Sequence, residues 1–107
     1  MEFERYDVTK DLVIIGAGMP GICAAIQAAR LGLTVALINN RGYVGGNASA
    51  EIDVSVDGAD GAQEFNLYAR EGGILEEIRL ENLHRNPQRN RYIWDAVLMD
   101  FLLKEKT

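Results

Sequence analysis

Three short clusters of glycine and amide residues are the part of this chain whose types and spacing could do chemistry. Gly16, Gly18 and Gly21 stand at the spacing G-x-G-x-x-G with Pro20 among them, Asn39-Asn40-Arg41 follows, and Gly45-Gly46-Asn47 closes the run. Glycines so spaced bind phosphate without a charged side chain. Backbone N–H groups at a helix start lack intrahelical partners, and the helix dipole favours negative charge there. Gly16 allows the tight turn out of a strand. Gly18 lets a pyrophosphate approach the backbone where a Cβ would collide with it, and Gly21 permits close packing of helix on strand. A bulky residue at position 18 is therefore expected to weaken binding more than folding.

The amide cluster occupies the next diagnostic position. An Asp or Glu at the end of the second strand accepts hydrogen bonds from an adenosine ribose. Asn39 stands there instead. A neutral amide bonds ribose hydroxyls but lacks the charge that repels a 2′-phosphate, and Arg41 supplies a cation for one. Taken alone, Asn39-Asn40-Arg41 leans toward NADP.

These clusters need particular elements to hold them. Leu12 to Ile15 is a continuous apolar run, as expected for a parallel strand covered on both faces. Met19 to Leu31 reads as a helix rich in alanine, with Pro20 in its first turn and Gly32 as its left-handed cap. Leu33 to Ile38 reads as a second strand, completing a β-α-β unit. With the strand before the glycines and the helix after them, the motif reads as dinucleotide binding.

Downstream the pattern softens. Ile52, Val54 and Val56 alternate with polar residues and predict a short half-exposed strand, and 57–61 predicts a turn. Gln63 to Glu71 is expected to be helical. Ile74 to His84 predicts a further helix, stopped by Asn86-Pro87. Ile93, Val97 and Phe101, with Trp94, Leu98 and Leu102 beside them, make one broad helical face, with Asp95, Asp100 and Lys104 expected elsewhere.

Other reactive side chains read blandly. His84 is the single histidine and sits at a helix end, so it reads as solvated or capping. Cys23 lies among helix alanines with no second cysteine, which favours a small apolar role over redox work. Asp53, Asp57 and Asp60 miss the calcium-loop spacing and read as turn formers. Glu51 reads as a surface carboxylate at a strand end, and Trp94 and Phe101 as core. No residue reads as catalytic.

Composition bounds the remaining choices. An apolar fraction of 48% and a charged fraction of 25% are those of an ordinary globular chain, so long disorder is not expected. A net charge of -5 offers no basic stripe for nucleic acid. No run approaches the ~18 apolar residues of a membrane span, and a lone cysteine suits a reducing compartment, so the cytoplasm is the expected location.

Arg41-Gly42-Tyr43-Val44-Gly45-Gly46-Asn47-Ala48-Ser49 resembles the arginine-x-x-x-glycine-glycine segment of FAD-dependent oxidoreductases built on the glutathione-reductase-like flavin fold. Asp11 to Gly18 and the Arg30-Leu31-Gly32-Leu33-Thr34-Val35 turn are similar to the same family's N-terminal signature. The likeness extends to a branch with a Gly-Gly-Asn-Ala-Ser-x-Glu stretch and a later counterpart at 70–87. The resemblance implies FAD rather than NADP, with Gly16, Gly18, Pro20 and Gly21 at the pyrophosphate. Asn39 would then serve the ribose, with Asn40 and Arg41 close by, and Gly45, Gly46 and Asn47 would line the inner part of the cofactor. Asn39 departs from the family's usual glutamate. The fold implied is α/β: the βαβ part of a Rossmann-like FAD-binding domain with two further helices. Residues 1–107 are expected to be the N-terminal portion of that domain in a longer protein, with apolar surface exposed where other parts would pack. The expected partner is a small-molecule substrate, with neither nucleic acid nor membrane.

Overall fold

The computed structural model describes residues 1–59, 66 and 68–106. The first ten residues form no helix or strand. Strand β1 (Leu12–Ile15), helix α1 (Met19–Arg30) and strand β2 (Val35–Ile38) form the β-α-β unit, and a 3-10 turn follows at Gly46–Ala48. Helices α2 (Gly73–Arg85) and α3 (Arg91–Leu103) complete the order. β1, the start of α1 and the end of β2 fall where the sequence predicts, and the end of α1 and both ends of α2 differ by one residue. The largest single shift is at the start of β2, where Leu33 and Thr34 lie before the strand.

The two strands pair in parallel, Leu12 opposite Val35 through Ile15 opposite Ile38. Asp11 pins the start of the ladder: its Oδ2 accepts from the backbone N–H and the hydroxyl of Thr34, both at 2.8 Å. Those bonds hold its carboxyl below the usual carboxylate pKa. Because side chains alternate along a strand, Leu12, Ile14, Val35 and Leu37 share one face. Ala25, Ala28 and Ala29 of α1 and Leu102 of α3 pack on that face. Small helix side chains are what let α1 lie this close to the sheet.

The opposite face is open. Val13 is 49% exposed, Ile15 84% and Ile38 51%. The expectation of a strand covered on both faces therefore fails within the described residues: helices lie on one side of the sheet alone.

A larger core joins α1, α2 and α3, with Ile22, Ile26, Ile78, Val97, Leu98 and Phe101 buried together. Arg30, at the end of α1, ties the helices at the surface through paired bonds to Glu77 and one to Glu105. The α2–α3 turn is organised by Asn86, which is 3% exposed. Its Oδ1 accepts from the N–H of Asn90 at 2.7 Å and its Nδ2 donates to the carbonyl of Asn90 at 2.8 Å. Asn90 then caps α3, accepting from the N–H of Tyr92 at 2.9 Å.

Three downstream expectations change. Residues 52–56 form no strand. No partner strand lies beside them among the described residues, and a strand exists only through pairing. Val54 instead donates to the carbonyl of Asn47 at 2.9 Å. Of the expected helix from Gln63 to Glu71, residues 63–65 and 67 lie outside the described residues, as do Asp60 and Gly61 of the expected turn. Asn66 and 68–71 are not helical. Asn66 starts a turn there, its side-chain oxygen accepting from Tyr68 and its carbonyl from Ala69. Asp95 is 7% exposed and belongs to the buried side of α3, not its solvent side.

Candidate functional site

The first glycine cluster forms the joint between β1 and α1. The N–H of Gly16 donates to the carbonyl of Ile38 at 2.8 Å, which turns the chain at the top of the sheet. Gly18 has extended backbone (φ -70°, ψ 175°) and precedes the first residue of α1. No side chain caps the helix, and no acid stands in its first turn. The helix start thus keeps donor groups and a positive dipole end without an internal anion. Pro20 has no N–H, so it removes one unpaired donor without weakening the helix.

The glycines serve different needs. A Cβ on Gly21 would lie 2.0 Å from the carbonyl oxygen of Gly16, so close packing of backbone on backbone requires glycine there. A Cβ on Gly18 would meet nothing nearer than the Pro20 Cδ at 3.8 Å. That is ordinary van der Waals contact, so among the described residues nothing would stop a side chain from fitting at Gly18.

The second glycine cluster is seated directly on the first. The N–H of Gly45 donates to the carbonyl of Ala17 at 2.7 Å, and Gly45 pairs with Gly18 as an isolated parallel bridge. Gly45 has φ 112°, a conformation side chains rarely adopt, and its Cβ would stand 2.9 Å from Leu98 Cδ1. A Cβ on Gly46 would stand 3.1 Å from the Gly18 Cα. Gly18 of the first cluster and Gly45 and Asn47 of the second line one pocket, whereas Gly16, Gly21 and Gly46 do not line it. Its volume is about 330 Å3, lined by Gly18, Met19, Pro20, Gly45, Asn47 and the 54–56 segment.

Helix α3 holds the second cluster in place. The indole N–H of Trp94 donates to the carbonyl of Ala48 at 2.8 Å, and the carboxylate of Asp95 accepts from the N–H of Ala50 at 2.9 and 3.2 Å. Burial pushes the Asp95 carboxyl above its usual pKa, against the lowering effect of the Ala50 bond. Trp94 was expected as core and does pack against it, but its polar edge also fixes the loop. Asp95 was missed. The available signal was its position three residues before Leu98 and seven before Leu102, on the rim of the apolar face.

The amide cluster lies apart from the pocket. Asn39 donates from Nδ2 to the carbonyls of Arg41 (3.0 Å) and Tyr43 (2.8 Å), closing the loop after β2. It borders a different cavity, of about 280 Å3, between α1, β2 and α3. Asn40 and Arg41 are exposed. Arg41 pairs with Glu51 at 3.3 Å, so its charge already has a partner. Glu51 lies in a turn after the 3-10 element, not at a strand end.

The remaining reactive groups stay outside the site. His84 is exposed in the last turn of α2. Cys23 is half-buried in α1, where burial raises its thiol pKa and makes it a poorer nucleophile. Among the described residues no group of three or more His, Cys, Asp or Glu could hold a metal ion. No described helix is long and apolar enough to cross a membrane.

Comparison with known proteins gives the same direction. The alpha subunit of sarcosine oxidase from Corynebacterium sp. (strain U-96) is 32% identical over 75 residues, covering 70% of this chain and 8% of that subunit. The tRNA uridine 5-carboxymethylaminomethyl modification enzyme MnmG of Geobacter metallireducens is 31% identical over 97 residues, covering 81% of this chain and 15% of that enzyme. The chain thus spans a small part of the length of the curated relatives it matches. No solved structure gives a significant match. A family model described as FAD dependent oxidoreductase matches residues 11–105, which include both glycine clusters and all three helices. On that match, and with a parallel β-α-β unit carrying an uncapped helix start, the chain belongs to the FAD-dependent oxidoreductase family.

Proposed function

We propose that this chain supplies the pyrophosphate- and ribose-binding part of a flavoenzyme that oxidises a small organic substrate with FAD. The observation that carries the reading is the uncapped start of α1 together with Gly18 there, a glycine whose Cβ would make only an ordinary contact with Pro20. The pocket there would receive the pyrophosphate on backbone donors, with Gly16, Gly18, Pro20 and Gly21 around it. Gly45, Gly46 and Asn47 would form the wall toward the inner part of the cofactor. Bound FAD would supply hydride or electron transfer through its isoalloxazine ring, while the protein binds and orients. Asn39, with its amide nitrogen committed to the loop, would offer the ribose its remaining carbonyl oxygen, and Asn40 and Arg41 would stand at the periphery.

The exposed face of Val13, Ile15 and Ile38 supports residues 1–107 being one part of a larger FAD-binding domain. Fully burying each such side chain is worth about 1.5–3 kcal/mol, a large return for a covering element. The reading places the protein in the cytoplasm, in keeping with its lone cysteine.

NADP binding is the second reading, favoured by Asn39 and Arg41. The Arg41–Glu51 pair weighs against it, because a 2′-phosphate would have to displace a carboxylate. A dinucleotide-binding remnant without turnover is the non-enzymatic alternative. Titration with FAD, NADPH and NADH separates them. Saturable quenching of flavin fluorescence, weakened at least about tenfold by Gly18→Ala, is expected for the first reading. NADPH binding tighter than NADH, lost in Arg41→Ala, would replace it with the second. FAD that is held but never reduced by any donor would favour the remnant.

A further inference from the structure

A third cavity adjoins the glycine pocket, between residues 53–56 and the α2–α3 turn, with a volume of about 320 Å3. The two share Ala48, Val54, Ser55 and Val56 as walls. The chain as a whole carries a net charge of -5, yet the charged residues here are Arg79, Arg89 and Arg91 against Asp53 alone.

The three cations differ in what they already bind. Arg79 is committed to the protein, donating to the carbonyls of Val56 at 2.6 Å and Ala59 at 3.4 Å. Arg91 reaches Asp53 at 3.4 Å in a pair open to water. The guanidinium of Arg89 has no hydrogen-bond or ion-pair partner among the described residues. The backbone is unusual at the same place. Asp53 (φ 62°) and Arg89 (φ 54°) are the two non-glycine residues with positive φ among the described residues, and both line this cavity. Aspartate tolerates that conformation, whereas an arginine there carries a steric cost. Residues held this way concentrate at ligand clamps.

The uncharged lining is mixed: beside the polar Ser55, Asn82, Asn86 and Asn90 stands an apolar part that suits an organic acid better than a bare inorganic anion. Ala48, Val54, Leu83 and Trp94 form an apolar wall that phosphate would leave unused. A guanidinium fork matches a carboxylate in two parallel hydrogen bonds. We propose that this cavity binds the carboxylate of a small organic acid, with Arg89 as the primary cation and Arg91 released to it from Asp53. The inference deepens the flavin reading by naming the substrate's class. It rests on that reading for the acid's being oxidised, while the binding step itself needs no flavin.

Trp94 is the single tryptophan and lines the cavity, so its fluorescence reports occupancy. The 107-residue chain is titrated with acetate, lactate and succinate, and with inorganic phosphate and uncharged succinamide. At least one acid should give a saturable change, with phosphate and succinamide about tenfold weaker or more. Arg89→Gln should weaken that acid by about tenfold or more while leaving FAD affinity within about twofold. Asp53→Asn keeps a residue type that tolerates the left-handed backbone and frees Arg91, so it should tighten the acid by about threefold or more. The inference is overturned by no saturable response to any acid, by phosphate binding as tightly as the acids, or by Arg89→Gln leaving affinity unchanged. FAD binding without an acid response sinks this inference and leaves the flavin reading standing. An acid response without FAD binding does the reverse.

Discussion

The two glycine clusters contain the same residue type for different physical reasons. In the first, Gly21 is demanded by the protein, because a Cβ would lie 2.0 Å from the Gly16 carbonyl oxygen, while a Cβ on Gly18 would make only an ordinary contact with Pro20. In the second, both glycines are demanded by the protein: Gly45 by its φ of 112° and by Leu98, Gly46 by the backbone of Gly18. A glycine motif therefore divides into positions that let the chain pack and a position that leaves room for something else. Gly16 has no packing neighbour either but has φ 103°, so Gly18, with φ -70°, is the glycine of these clusters that neither packing nor backbone conformation explains.

Substitutions test that division directly. Gly21→Ala forces backbone apart and should cost about 3 kcal/mol or more, enough to abolish a cooperative thermal transition. A near-normal melt would mean that the close approach to Gly16 relaxes freely. Gly45→Ala combines positive φ with overpacking and should cost about 2–4 kcal/mol, read as a lowered Tm. Rescue of part of that loss by Leu98→Ala would identify the overpacking component.

Removing the clamp comes next in size. Asp95→Ala leaves the buried Ala50 N–H without its acceptor and should cost about 1–3 kcal/mol, whereas Asp95→Asn retains one acceptor and should cost less. Equal melts for the two variants would break the clamp assignment. The same residue predicts a pH effect. Its folded pKa is raised above the ordinary 3.8, so its stabilising contribution is complete below that value and is lost as pH rises through the raised one. Asp11 has the opposite sign: its pKa is lowered, so its contribution is lost as pH falls through that depressed value. Denaturant melts between about pH 3 and 7 should show a decline with rising pH that Asp95→Asn removes.

Gly18→Ala is expected to have the smallest effect on folding and a clear effect on binding. Its backbone is extended with φ -70°, so alanine fits and should leave stability unchanged or raised by up to about 1 kcal/mol. FAD affinity should nevertheless fall by at least about tenfold. If stability falls as far as in Gly45→Ala, the contrast between the clusters disappears.

Much of the fold was legible in local patterns. The apolar run at Leu12–Ile15, the alanine-rich stretch ending at Gly32 and the Asn86-Pro87 stop each act within a few residues, and each element appears where expected. The parts that were not legible depend on distant partners. Alternation at Ile52, Val54 and Val56 could not make a strand without a neighbour to pair with. Asp95 looked solvated because the group it serves, the Ala50 N–H, lies 45 residues away. Asn39 stood at the ribose position by spacing, yet the turn it closes takes its amide nitrogen.

From residue order alone come the β-α-β unit, the expectation of a pyrophosphate at the helix start and the flavin family resemblance, because propensity, capping and glycine spacing are local. Folding in three dimensions decided which glycines serve packing and which leaves space. It set the second cluster against Gly18 and placed Trp94 and Asp95 as the clamp that holds it there. The physical reason is contact distance: whether a Cβ fits depends on atoms brought close by the whole chain, and no spacing along the sequence records them.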